Sequence, residues 1–236
     1  MIAQNRVFIG MDRRQPVGFN VAQWSIHANA KRPTLVQPLI IDQLPVVRRG
    51  LTEFTFTRFL VPYLCNFEGF AIFMDADMVV TQDINELFDS YDDPYGPAVR
   101  VMKGQPKFEW PSLMYFNCAK CDMLDPGYIN DTSNDPASLG WADRIGELPP
   151  RWNVMTLASE STELPDNAAL LHYTEGLPCF FETQHTNGAD VWKRAYQDMN
   201  RTVNWRDLMG KSVHAKPVLH RMISRYFEAQ PEAERV

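Results

Sequence analysis

Five apolar residues, Phe70-Ala71-Ile72-Phe73-Met74, run without interruption into Asp75-Ala76-Asp77. A run this short and this uniformly apolar predicts a strand buried on both faces. Gly69 breaks the chain just in front of it. Strands of this kind lie inside α/β sheets, and ligands bind at their carboxyl ends. Asp75 and Asp77 therefore stand where a ligand is expected. Extended residues i and i+2 point the same way, so both carboxylates can face one cation. Phosphate or diphosphate oxygens are the usual co-ligands of such a cation.

The rest of the chain alternates strand and helix signals. Val7 to Met11 predicts a first strand, ending at Asp12. Val17, Val21, Trp24 and Ala28 recur at helical spacing after Pro16. Thr34 to Ile41 predicts a second strand. Phe56, Phe59, Leu60, Tyr63 and Leu64 form another helical stripe, which Pro62 must end or kink. A short helix is expected at Ile84 to Phe88, and strands at Ala98–Met102, Leu113–Phe116 and Ala168–Leu171, the last ending at His172. Asp122 to Asp135 is rich in Asp, Asn, Pro and Gly and predicts a loop. Helix is expected again from Asp190. At 236 residues, 45% hydrophobic and 22% charged, the chain can bury a sizeable core. The expectation is one domain over residues 1–200, with a basic helical tail over 201–236.

Composition narrows the partners. A net charge of −6 gives no electrostatic case for nucleic acid. No apolar run is long enough to span a bilayer. Met1–Arg6 leads straight into Val7-Phe8-Ile9 without an export pattern, so a cytoplasmic setting is expected. In that setting the 4 cysteines are expected as free thiols. Cys118 and Cys121 form one C-x-x-C without a second pair at zinc-site spacing, and read as small buried hydrophobes.

Two carboxylates after a strand have other readings. Asp at a strand end can simply hydrogen-bond its own backbone. A phosphohydrolase of the haloacid dehalogenase type also places D-x-D after an apolar strand, with the first Asp as nucleophile. That type calls for a later acidic pair at a strand end, whereas here the late strand ends in His172.

Several segments, taken in order, resemble glycosyltransferase family 8 and its GT-A-fold relatives. They are Thr55-Phe56-Thr57-Arg58-Phe59, then Phe73-Met74-Asp75-Ala76-Asp77-Met78-Val79-Val80, then Asp83-Ile84-Asn85-Glu86-Leu87-Phe88. Tyr115-Phe116-Asn117, Leu148-Pro149-Pro150-Arg151-Trp152-Asn153 and His172-Tyr173-Thr174-Glu175-Gly176 follow. The resemblance implies a GT-A-like, Rossmann-like α/β fold: a mixed, mainly parallel sheet flanked by helices. It implies a metal-dependent transferase that moves a hexose from a UDP-sugar to a glycan, lipid or protein acceptor, with retention at the anomeric carbon. A phosphohydrolase and a transfer-inactive nucleotide-sugar-binding protein are the alternatives.

By the same resemblance Asp75, Asp77 and His172 are the metal ligands, for Mn²⁺ or Mg²⁺. An imidazole in the set favours Mn²⁺. Arg58 pairs with the diphosphate or braces Asp75, and as a bland alternative makes a structural ion pair. Asp12 contacts the nucleoside or caps a turn, and Asn117 contacts the sugar or caps a strand. Gly176 lets backbone approach the diphosphate. The chain departs from the family pattern twice: Cys118-Ala119 follows Asn117 where a Gly is usual, and Cys179 stands where a Lys is common. The Asp-Gln pair usual before the Leu-Pro turn has Asp143-Arg144 as its nearest counterpart. For the tail, Leu219, Met222, Ile223 and Tyr226 share a helical face among Lys211, Lys216, Arg221 and Arg225. Such a helix packs on the domain or lies peripherally on an anionic inner membrane face.

Overall fold

A computed structural model describes residues 5–157 and 163–203. The chain divides into two compact units, Met1–Ala195 and Tyr196–Val236. Beyond residue 203 the expected basic tail lies outside the described residues.

The first unit is built as β1 (Asn5–Gly10), α1 (Pro16–Asn29), β2 (Thr34–Leu39), α2 (Val61–Leu64), β3 (Phe70–Met74), β4 (Met78–Val80), α3 (Asn85–Tyr91), β5 (Val99–Val101), β6 (Leu113–Asn117), α4 (Pro126–Asn130), β7 (Ile145–Glu147), β8 (Val154–Met155) and β9 (Leu170–His172). The last helix, α5 (Ala189–Val203), begins in this unit. Six strands form one sheet in the order β2-β1-β3-β6-β5-β7, and β4-β9-β8 form a second. The first sheet is mixed and mainly parallel. β1 runs parallel to β2 and β3, and β5 parallel to β7, while β6 is antiparallel to β3 and β5. This is the α/β architecture expected from the sequence.

β3 is central, and its uniform apolarity follows from that place. Ala71 and Phe73 enter one buried cluster with Phe8, Met114 and Phe116. Ile72 and Met74 enter a second with Val7, Ile9 and Leu113. Neither face of the strand meets water, so an alternating pattern has no use there. At the edge the demands relax: β2 carries Pro38, tolerated because an edge strand can spare an amide.

Three local expectations need correction. Pro62 does not break a long helix. Residues 57–60 form a 3-10 turn, and Pro62 lies in the first turn of α2, where a missing amide costs nothing. The expected loop 122–135 holds α4, with Pro126 at its start and Asp125 as its cap, Oδ1 accepting from Tyr128 N at 2.7 Å. The second strand stops at Leu39, and residues 41–43 form a 3-10 turn. Cys65, Cys118 and Cys121 are buried free thiols, and Cys179 is an exposed one.

Phe73 is fully buried at the centre of the sheet. Phe73→Ala is expected to cost about 3–5 kcal/mol, from lost transfer energy and a residual cavity. Urea unfolding followed by circular dichroism measures the loss.

Candidate metal centre

The chain turns sharply after Met74, and Asp75, Ala76 and Asp77 form that turn before β4 begins. Main-chain bonds fix it from two sides: Asp75 N donates to Ser112 O at 2.9 Å, and Tyr173 N donates to Asp77 O at 2.9 Å. β4 pairs with β9 so that Met78 faces His172. The second sheet thus delivers the imidazole to the end of the first sheet's central strand. One ligand atom each from Asp75, Asp77 and His172 lies within 4.8 Å of the others. His172 Nε2 stands 3.3 Å from Asp77 Oδ1, and Asp75 Oδ1 stands 3.1 Å from Arg58 Nη2.

A close helix completes the turn's surroundings. A Cβ on Gly18 of α1 would come within 2.9 Å of the Ala76 carbonyl. Glycine there lets α1 approach the carboxylate turn.

This donor set fits a divalent cation. Asp75 Oδ1 and Asp77 Oδ1 are buried yet accept no hydrogen bond of good geometry. Buried acceptors without donors are costly. Two carboxylates and one imidazole suit Mn²⁺ or Mg²⁺, and the nitrogen favours Mn²⁺. The electrostatics are strained in the same sense. Burial pushes the Asp75 carboxyl up to about 7, opposed by the Arg58 guanidinium and reinforced by Asp77. Burial works against a charged His172 ring, but the nearby Asp77 carboxylate outweighs it and holds the imidazole's pKa above its usual value.

Arg58 occupies a 3-10 turn rather than a regular helix. Besides Asp75 it donates to Pro111 O at 2.8 Å, and its guanidinium lies 5.0 Å from the Phe73 ring centre. It therefore braces Asp75 in this structure. Asp12 follows β1 at the same end of the sheet, its Oδ1 accepting from Arg14 Nε at 2.8 Å. Gly176 has φ of 125°, a conformation that favours glycine whatever its contacts.

Asn117 is not brought to this site. β6 is antiparallel to β3, so Leu113 pairs with Met74 and Asn117 with Phe70, at the opposite end of the strand. Its amide nitrogen donates to Pro94 O at 3.0 Å. Asp143 belongs to that far end too, facing the Ala98 amide at 3.3 Å. The residues beside the centre come from the start of β6 instead. A cleft of about 350 Å³ is lined by Asp75, Asp77 and His172, with Arg58, Glu109 and Phe108 on its walls. Sequence reasoning passed over Glu109, whose Oε2 is 4.0 Å from His172 Nδ1. Asn153 has no role implied by its motif, yet its Oδ1 lies 3.0 Å from His172 Nδ1.

No family model matches the chain. It is similar to Protein CDI of Arabidopsis thaliana, at 29% identity over 231 residues, covering 83% of this chain and 87% of that one. Solved structures share the fold at much lower identity. The apo glycosyltransferase GlyE of Streptococcus pneumoniae TIGR4 superposes with a TM-score of 0.62 at 14% identity, over 85% of this chain and 63% of GlyE. The bifunctional glycosyltransferase WbbM gives 0.60 at 14%, over 94% of this chain and 52% of WbbM. The chain thus spans about half the length of WbbM. The galactosyltransferase LgtC, solved with donor and acceptor sugar analogues, gives 0.56 at 12%, over 82% of this chain and 95% of LgtC. The fold is that of the GT-A glycosyltransferases.

The raised Asp75 pKa has a definite sign. An acid lifted from 3.8 to about 7 by folding binds its proton more tightly in the folded state. Its stabilising contribution is complete below 3.8 and is lost as pH rises through about 7. A cation needs the ionised carboxylate, so binding releases that proton. The rise in melting temperature caused by Mn²⁺ is expected to be larger at pH 8 than at pH 6, and Asp75→Asn is expected to flatten the difference. Thermal melts at the two pH values read both effects.

Proposed function

We propose that this protein is a metal-dependent glycosyltransferase that transfers a hexose from a UDP-sugar, with retention, to a glycan, lipid or protein acceptor. The observation that carries the proposal is the Asp75–Asp77–His172 group at the carboxyl end of the central strand of a GT-A sheet. When bound there, a divalent cation neutralises charge on the departing diphosphate. The protein's own residues hold and orient. Asp75 and Asp77 supply carboxylate oxygens, His172 supplies Nε2, and Arg58 keeps Asp75 in place. Asp12 at the end of β1 is assigned to the nucleoside side, and the Gly176 backbone to the diphosphate. Asn117, at the far strand end, takes no part in sugar binding in this proposal. A phosphohydrolase would need Asp75 free as a nucleophile, and here it is held in an ion pair by Arg58.

The proposal of retention rests on the family resemblance of the motifs. The departing diphosphate then serves as the base for the acceptor hydroxyl, and no separate carboxylate is required opposite it.

UDP with Mn²⁺ is expected to raise the melting temperature, and a UDP-sugar is expected to release UDP. Asp77→Ala should abolish release while leaving the circular dichroism spectrum intact, because a ligand at a strand end carries little packing. Near wild-type turnover by this variant would refute the site. Proton NMR of the product should show an α-linked sugar from an α-linked donor, and a β-linked product would overturn retention.

Among the described residues no helix is long and apolar enough to cross a membrane. Peripheral contact on the cytoplasmic face through residues 201–236 is a separate proposal. Co-sedimentation with anionic liposomes should be lost on truncation after Asn200. Equal binding by both forms would dismiss the tail as an anchor.

A further inference from the structure

A metal-binding imidazole must present a lone pair to the cation and keep its proton on the other nitrogen. Which nitrogen carries the proton in His172 can be worked out from the surrounding network. Ser112 Oγ donates to the Glu109 carbonyl at 2.6 Å, an oxygen that can only accept. Having spent its hydrogen, Ser112 Oγ accepts from Asn153 Nδ2 at 2.9 Å. Gln105 Nε2 donates to the Asn153 carbonyl, which again can only accept, so Gln105 Oε1 is the atom left to face Asn153. It accepts from Nδ2 at 3.1 Å. Both amide hydrogens of Asn153 are therefore used, and its Oδ1 is the atom 3.0 Å from His172 Nδ1. An acceptor in that place requires Nδ1 to be the donor.

Two main-chain carbonyls thus anchor the direction of every hydrogen bond in the chain. The centre of the network is shut off from water, with Ser112, Asn153 and His172 each 1% exposed and only Gln105 half-buried. On the other side of the ring, Nε2 faces Asp77 Oδ1 at 3.3 Å. In the neutral ring, with its proton held at Nδ1, a lone pair confronts that carboxylate, and a bound cation would relieve the repulsion.

We infer that Asn153, locked by Gln105 and Ser112, is a positioning residue that fixes the Nδ1–H tautomer and ring orientation of His172, and thereby sets the metal affinity of the centre. This rests on the metal reading of the site. It adds three residues that no sequence motif had assigned a task, and a sequence separation of 48 residues between Gln105 and Asn153 explains why none did.

Two substitutions separate positioning from plain structure. Asn153→Asp keeps an oxygen for Nδ1–H and loses the donors to Ser112 and Gln105. Asn153→Leu loses both. Mn²⁺ affinity is measured by electron paramagnetic resonance on each protein without sugar nucleotide, together with urea stability. Both variants are expected to lose stability. Asn153→Leu should bind Mn²⁺ about 10- to 100-fold more weakly, the usual cost of removing an outer-shell partner. Asn153→Asp should bind close to wild type. Wild-type affinity in Asn153→Leu, or an equal loss in both variants, would overturn the inference. Nitrogen-15 NMR of the metal-free wild-type protein in alkaline buffer gives a second reading that needs no variant to fold. Nδ1 should carry the proton, and an Nε2–H ring would overturn the inference. A switch of tautomer caused by Glu109→Gln would also overturn it, by assigning the role to Glu109. Asp77→Ala keeps the underlying reading separately testable. If it loses Mn²⁺ while Asn153→Leu retains it, only the positioning role fails. If Asp77→Ala retains Mn²⁺, the metal reading falls and this inference with it.

Discussion

Two carboxylates and an imidazole turned toward one another in a buried space impose a cost that the fold must continually oppose. Like charges at Asp75 and Asp77 repel, and burial penalises Asp75. The protein offsets this from three directions. The Arg58 guanidinium sits on Asp75, the His172 ring faces Asp77, and main-chain bonds from Asp75 N and Tyr173 N clamp the turn between them. Arg58 is itself confined by Phe73 and by the Pro111 carbonyl, so it cannot relax toward solvent. Much of the surrounding architecture serves to keep acceptors close that would otherwise move apart.

Positioning that group takes two sheets. The carboxylates follow β3, an interior strand of the first, where a one-residue shift in register would drive Phe73 and Ile72 into each other's buried clusters. β9 supplies His172 from the second, where β4 is its antiparallel neighbour and β8 its parallel one. Since β4 follows directly on Asp77, the same few residues fix both the second carboxylate and the strand that registers the histidine. Thr156 N adds a bond to the His172 carbonyl at 2.8 Å from the β8 side. The imidazole is held on a short strand bonded along both edges, which suits a ligand whose angular freedom must be small.

The Asp75–Asp77 pair was legible in the sequence as two carboxylates directly after an apolar run, a local pattern needing no tertiary knowledge, whereas His172 joined them through the family resemblance. Arg58 was legible through its motif, although the neighbouring prolines and aromatics make a 3-10 turn where a helix was expected. Asn117 was misplaced for a topological reason. A motif at the tail of β6 reads as near the site if the strand runs parallel to β3, and it runs the other way. No residue in Leu113–Asn117 announces its direction. The same reversal hid Ser112 and Glu109, which precede the strand and so lie beside Asp75. Asn153 was hidden because its partners lie 19, 41 and 48 residues away in the chain.

The missing lysine of the Gly176 loop can be weighed against what the structure places near the turn. Cys179 brings no charge, and α1 begins with no acidic residue in its first turn. Its start follows directly on Arg13 and Arg14, but neither guanidinium is uncommitted. Arg13 is tied to Asp42 and Glu53, and Arg14 to Asp12. These pairs are largely solvent-exposed on the arginine side, where an ion pair contributes little. Arg13 is held by two carboxylates that both keep contact with water, whereas Arg14's partner Asp12 is buried. Arg58 is the opposite case: its pair with Asp75 is buried, and breaking it would strand a carboxylate beside a second one. Releasing Arg14 would strand buried Asp12 much as releasing Arg58 would strand Asp75, so of these three arginines Arg13, with its solvent-contacting partners, is the one that changes partners at least cost.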